Sequence, residues 1–127
     1  MTRIIIAGSR SFNNYRLLRS KLDEITAGIN DEIEIVSGNA RGADRLGERY
    51  ASEHNISVAL YPADWSVFGK PAGIIRNQIM VNHVSKGKAL VVVFWDGESR
   101  GALDMIQRAR RAGIETKVIR TDGDMTP

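Results

Sequence analysis

The chain has 127 residues, 43% of them hydrophobic and 26% charged, and a formal net charge of +3. That balance excludes a disordered chain and leaves room for one globular domain rather than two. It holds no cysteine, which removes disulfide scaffolds, thiol nucleophiles, iron–sulfur clusters and cysteine zinc sites.

In chain order, Arg3–Ala7 is a short apolar, β-branched run and reads as a first strand. Tyr15, Leu18, Leu22 and Ile25 share one helical face, and Gly28 sits where a C-cap glycine would. Ile33–Ser37 reads as the second strand. Ala43, Leu46, Gly47, Tyr50 and Ala51 stripe a helix that ends near His54 and Asn55. Ser57–Tyr61 reads as the third strand, followed by a long loop carrying Trp65 and Phe68. A helix is expected from about Pro71 to Val84, since proline suits a first turn. Its apolar residues Ile74, Ile75, Ile79, Met80, Val81 and Val84 lie on more than one side. One sheet cannot cover them all, so a second subunit is expected there. Ala89–Phe94 reads as the fourth strand. The helix from about Gly101 to Ala112 turns Ala102, Met105, Ile106, Ala109 and Ala112 inward and Arg108, Arg110 and Arg111 largely to solvent. Thr116–Arg120 reads as the fifth strand.

Continuous apolar strands alternating with helices predict an α/β fold. The expectation is a single Rossmann-like three-layer domain over residues 1–120, about five parallel strands with helices on both faces. Residues 121–127 are polar and are expected to form a flexible tail. The longest apolar run, Ala89–Trp95, is too short to cross a bilayer, and the start lacks a signal-peptide core, so a cytoplasmic protein is expected.

Ligands of open parallel sheets bind beyond the carboxyl ends of the strands. Four loops at those ends combine glycine, a small polar residue and a cation. They are Gly8-Ser9-Arg10, Gly38-Asn39-Ala40-Arg41 with Asp44, Gly69-Lys70-Pro71 with Arg76-Asn77, and Asp96-Gly97-Glu98-Ser99-Arg100-Gly101. Glycine admits backbone N–H groups to an anion, a helix N-terminus adds donors and dipole, and arginine matches phosphate oxygens. Gly97–Gly101 is the first choice for a phosphate cradle and Gly38–Gly42 the second. Glycine turns also join strands to helices where no phosphate binds, so the signal lies in the four together. Neither a P-loop nor G-x-G-x-x-G is present, which disfavours a Walker-type NTPase and a standard dinucleotide dehydrogenase.

Trp65 could stack on a base or plug the core edge. Asp64 could accept from a ribose hydroxyl or cap a turn, and Asp44 could face a ligand or serve its helix dipole. Asp96 is placed for a ligand hydroxyl or cation. His54 and His83 have no metal-ligand spacing and read as helix-end residues. No cofactor or metal site is indicated; magnesium is compatible with a phosphate ligand but no pattern calls for it. Net charge and scarce aromatics argue against a nucleic-acid partner.

In order along residues 3–120, the motifs Ala-Gly-Ser-Arg-x-Phe, Ser-Gly-x-Ala-Arg-Gly-Ala-Asp, Pro-Ala-Asp-Trp, Gly-Lys-x-Ala-Gly-x-x-Arg-Asn-x-x-Met and Trp-Asp-Gly-x-Ser-Arg-Gly resemble the YspA/YpsA-related branch of the SLOG superfamily. Relatives include the LOG phosphoribohydrolases, DprA and molybdenum-cofactor carrier proteins. The resemblance implies a Rossmann-like fold, a nucleotide-like ligand and, by analogy with LOG enzymes, a homodimer. LOG-type enzymes use an arginine that Arg76 matches and a glutamate whose position holds Met105. A thioether cannot replace a carboxylate in N-glycosidic hydrolysis. Binding is therefore expected, as carrier, sensor or sequestering protein. The alternatives are a phosphoribohydrolase with a displaced carboxylate, and DprA-like single-stranded DNA binding. Expected ligand residues are Gly8, Ser9, Arg10, Gly38, Asn39, Arg41, Asp44, Asp64, Trp65, Arg76, Asn77, Asp96, Gly97, Ser99, Arg100 and Gly101. Arg76, Asp96 and Glu98 are the weak catalytic candidates.

Overall fold

The computed structural model describes residues 1–122; residues 123–127 of the expected tail lie outside the described residues. Five strands form one parallel sheet: β1 (Thr2–Gly8), β2 (Ile33–Ser37), β3 (Ser57–Leu60), β4 (Lys88–Trp95) and β5 (Glu115–Arg120). Their order is β3-β2-β1-β4-β5. The helices are α1 (Tyr15–Ala27), α2 (Ala43–Glu53), α3 (Trp65–Phe68), α4 (Ala72–Val84) and α5 (Arg100–Arg111). No helix among the described residues is long and apolar enough to cross a membrane.

The apolar strand runs are explained by burial on both faces. Ile4 and Ile6 of β1 face a core with Leu18, Leu22, Tyr50 and Ala51 of α1 and α2. Their neighbours Ile5 and Ala7 face Met80, Val81, Val84, Met105 and Ile106 of α4 and α5. This is the period of two of a strand, with both halves apolar because both faces carry helices. The chain winds from β1 outward to β3, then returns across to β4 and β5, so the order reverses between β1 and β4. That point opens a crevice above the strand ends.

Four expectations need correction. The long loop after β3 contains the single turn α3, capped by Asp64. Pro71 is the N-cap of α4 rather than part of its first turn. Ala112 is exposed because α5 ends at Arg111 and the chain turns at Gly113 into β5. Arg108 does not face solvent: it donates to Asp104 at 2.8 Å and to Gln78 at 2.9 Å, tying α5 to α4. At the start of the expected tail, the Thr121 N–H donates to the Trp95 carbonyl, and Asp122 pairs with Arg120.

One contact sets the crevice floor. Gly42, at φ 88 and ψ −131, starts α2 where a Cβ would lie 2.3 Å from the Ser9 carbonyl oxygen. Gly69 has nearly the same backbone, φ 63 and ψ −140, with nothing within 4 Å of a Cβ. Alanine at either site meets the same strain, about 1–3 kcal/mol. Only Gly42→Ala adds overlap with backbone. It is expected to lower the urea-derived unfolding free energy by at least about 1 kcal/mol more than Gly69→Ala. Equal losses would show that α2 is not clamped against the β1 loop.

Candidate functional site

A cavity of about 830 Å³ opens at the crevice. It is lined by Gly8, Arg10 and Ser11 after β1, and by Ala40, Arg41 and Asp44 at the start of α2. Trp65, Lys70, Gly73, Ile74, Arg76, Asn77 and Met80 come from α3 and α4. Asp96, Ser99, Gly101, Ala102 and Met105 come from the β4–α5 connection. The four loops singled out by composition therefore share one hollow. Lys70, a member of the third loop, lines the hollow without having been among the expected ligand residues; Ser11 and the apolar side, Ile74, Met80, Ala102 and Met105, are additions, since apolar helix residues carry no composition signal that separates pocket lining from core.

The cations are the first feature. Arg10, Arg41, Lys70 and Arg76 line the cavity, and among the described residues none has a carboxylate within 4.0 Å. Arg3, Arg49, Arg108 and Arg120, all outside the cavity, do have such partners. Arg76 is the most enclosed of the four. Its Nη1 donates to the Gly38 carbonyl at 2.6 Å and its Nε to Asn77 Oδ1 at 3.0 Å. Asn77 in turn donates to the Gly101 carbonyl and to Asp104, so the guanidinium is held by the loop before α2 and, through Asn77, by α5. Burial pushes its pKa down from the ordinary value, and the Asp44 charge opposes this.

Asp44 is the second feature. It is 4% exposed, and its Oδ2 accepts the Ala40 N–H at 3.2 Å. Burial pushes its carboxyl up to about 6, against the pull of Arg76 and of the Ala40 amide. Gly38 leaves room for both groups: a Cβ there would lie 2.4 Å from Arg76 Nη1 and 2.8 Å from Asp44 Oδ2.

The β4–α5 loop is occupied by its own side chains. Asp96 Oδ1 accepts the N–H groups of Glu98 at 2.9 Å and Ser99 at 2.8 Å, which hold its pKa below the usual carboxylate range. Ser99 Oγ caps α5 by accepting from Ala102. Gly97 does not face the cavity: it lies against Arg120, whose guanidinium a Cβ would meet at 2.4 Å. Neither Arg100 nor Glu98 lines the hollow, and both are exposed. By contrast, α2 and α4 start at Gly42 and Pro71 with no side-chain cap.

The other expected residues fall into place around this frame. Ser9 is buried beneath the cavity, its Oγ accepting from the Asp96 N–H. Asn39, at φ 58, belongs to the turn, and its N–H donates to Ser37 Oγ. Asp64 caps α3 through the Val67 N–H. Trp65 is half exposed on the cavity wall, with the Arg10 guanidinium 5.9 Å from its ring centre; Phe68 is exposed outside the cavity. His54 stacks on Tyr50 at the end of α2, and His83 meets Glu34 at 2.7 Å. Among the described residues no group of three or more histidines, aspartates or glutamates is placed to hold a metal ion. Met105, at the position of the LOG-type acid, is buried against the cavity. Asp104 beside it is engaged by Asn77 and Arg108.

Residues 2–68 match the YAcAr family, described as the YspA, cpYpsA-related SLOG family. The chain is 31% identical over 119 residues to the Gene 61 protein of Mycobacterium phage D29, covering 90% of this chain and 93% of that protein. It resembles the X-ray structure of DNA processing protein A (DprA) from Streptococcus pneumoniae with a TM-score of 0.70 at 19% identity, covering 94% of this chain and 50% of that one. The DprA likeness is one of fold, and the chain spans half the length of that structure's chain.

Asp44 makes the cavity testable through stability. Its folded pKa lies above the ordinary 3.8, so folding favours the protonated form. The associated stability is present below about pH 4 and is lost as pH rises through about 6. At neutral pH the charge costs about 3 kcal/mol. Asp44→Asn, of the same shape and uncharged, is therefore expected to be more stable than the parent near neutrality, with the gain fading toward about pH 4. Thermal unfolding at both pH values checks this; a pH-independent difference would refute the buried charge.

Proposed function

We propose, from the premise that this chain belongs to the YspA, cpYpsA-related SLOG family, that its crevice binds a phosphorylated nucleoside or nucleotide-derived ligand, as a carrier, sensor or sequestering protein. The observation that carries the reading is the convergence of Arg10, Arg41, Lys70 and Arg76 on one cavity, without carboxylate partners within 4.0 Å among the described residues. These four cations share the hollow with two carboxylates, Asp44 and Asp96, so the lining keeps a positive surplus that an anion offsets. The starts of α2 and α4 have no side-chain cap; the Ala43 and Ala72 amides donate to the Ser9 and Gly69 carbonyls, leaving the next first-turn amides as donors beside the cations. The phosphate is accordingly assigned to this side, held by Arg41, Lys70 and Arg76, rather than to the self-capped β4–α5 loop. Trp65 offers a flat surface for a base, and Met80, Ala102 and Met105 an apolar wall.

Binding without turnover is favoured because Met105 supplies no proton where LOG-type enzymes hold an acid. A homodimer forms part of the same reading. Leu60, Val67, Phe68, Ile74 and Ile79 are all exposed around α3 and α4, and a second copy of the chain would cover them.

Native mass spectrometry of protein purified under mild conditions is expected to reveal a bound nucleotide-like mass. In calorimetry with nucleoside 5′-monophosphates, Arg41→Ala and Arg76→Ala should each weaken binding about ten- to hundredfold, the loss expected for a charged hydrogen bond. Arg100→Ala should stay within about twofold. A loss on Arg100→Ala alone would place the phosphate at the β4–α5 loop, and free base detected by chromatography would make the protein a hydrolase. For the dimer, Ile79→Asp should convert the sedimenting species to a monomer; a parent protein already monomeric at micromolar concentration would remove it.

A further inference from the structure

We propose that Asp44 selects for a sugar hydroxyl beside the phosphate, so that the cavity takes ribosyl phosphates in preference to free phosphate and to deoxy-sugar phosphates. This rests on the anion-binding reading of the same cavity and adds the feature of the ligand that is recognised next to the charge.

A carboxylate in a site built for an anion opposes that anion. Asp44 stands among the cations: its Oδ2 and Arg76 Nη1 lie 2.8 and 2.4 Å from the same point above Gly38. The residue is 4% exposed and lines the cavity. Oδ2 is taken by the Ala40 amide. Oδ1 has no donor among the described residues, and no cation lies within 4.0 Å. The charged groups that face it are Arg76 of α4, Arg10 of the β1 loop and Glu48 one turn along α2.

A purely structural role does not account for this arrangement. An asparagine would accept the Ala40 N–H equally well and avoid burying a charge. A carboxylate serving only the dipole of α2 would do so from solvent at lower cost. What a buried carboxylate oxygen adds is a strong acceptor for a neutral donor, and a penalty for any second anion. A hydroxyl next to a phosphate meets both conditions, since the phosphate goes to the cations and the hydroxyl to Oδ1. With its pKa raised to about 6 by burial, Asp44 is mostly ionised at neutral pH and acts as the acceptor.

The test uses the intact protein in calorimetric titrations. The probes are the four ribonucleoside 5′-monophosphates, their 2′-deoxy and 3′-deoxy counterparts, and inorganic phosphate. In the parent protein, loss of one of the two hydroxyls is expected to weaken binding about tenfold or more. In Asp44→Asn that penalty should shrink to within about threefold, while inorganic phosphate binds more tightly than to the parent. Equal affinity of the parent for ribo and both deoxy ligands would overturn the hydroxyl assignment and leave the anion site standing. A deoxy penalty that persists in Asp44→Asn would assign the hydroxyl to another group. If the parent binds none of the nucleotides, the anion reading fails and this one with it. The ligand comparison is made on the parent chain, so it holds even if the variant folds poorly.

Discussion

The start of α2 lies so close to the loop after β1 that a side chain on Gly42 would overlap the Ser9 and Arg10 carbonyls, and the rest of the site depends on that approach. The Ala43 N–H donates to the Ser9 carbonyl, and Ser9 Oγ accepts the Asp96 N–H. Three segments from β1, α2 and the end of β4 are thereby joined through one buried serine. Arg10 leaves this joint on one side, Arg41 and Asp44 on another and Asp96 on a third. Their relative positions are set by backbone contacts, which relax less readily than side chains.

That joint fixes the backbone from which Arg10 and Arg41 project, while Arg76 is held by contacts of its own. Arg10, Arg41, Lys70 and Arg76 would spread apart on flexible loops, since exposed cations repel and gain solvation by separating. Arg76 is the clearest case, because two acceptors, the Gly38 carbonyl and Asn77, hold it inside. Asn77 is held in turn from α5 through Gly101 and Asp104. The buried charge of Asp44 extends the same logic to a carboxylate. Its burial favours the protonated form, so its charge at neutral pH works against folding.

Much of this was legible in the sequence because burial leaves a strong mark. The central strands β1 and β4, covered on both faces, become continuous apolar runs, and the more exposed edge strands β3 and β5 are still marked by β-branched residues, so all five are legible to within one residue of their ends. The convergence of the loops followed from topology, since parallel strands bring all their carboxyl ends to one edge. What could not be read was local. A four-residue helix such as Trp65–Phe68 is too short to show a period. Arg108 sits in a run with Arg110 and Arg111 and looks like a solvated face. Only the packing of α4 against α5 brings Gln78 within its reach. Gly97 looks like a phosphate glycine, but its conformation accommodates Arg120. Composition shows that donors are present and not which acceptors already use them.

That last point decides where an anion can sit. The β4–α5 loop has the glycines, the hydroxyl and the helix start of a phosphate site. Its amides at Glu98 and Ser99 nevertheless already bind a carboxylate, Asp96, and Ser99 Oγ is turned to Ala102. A phosphate entering there would have to displace an anion tethered a few atoms away, whose low pKa records how well it is held. The starts of α2 and α4 have no side-chain hydrogen-bond cap, the Asp44 carboxylate taking the Ala40 amide of the loop before α2, and Arg41, Lys70 and Arg76 stand beside them. A fold shared with DprA at 19% identity carries no information about this choice. Two chains with the same sheet and the same glycine loops can place their ligands on opposite sides of the crevice, according to which helix start its own side chains leave open.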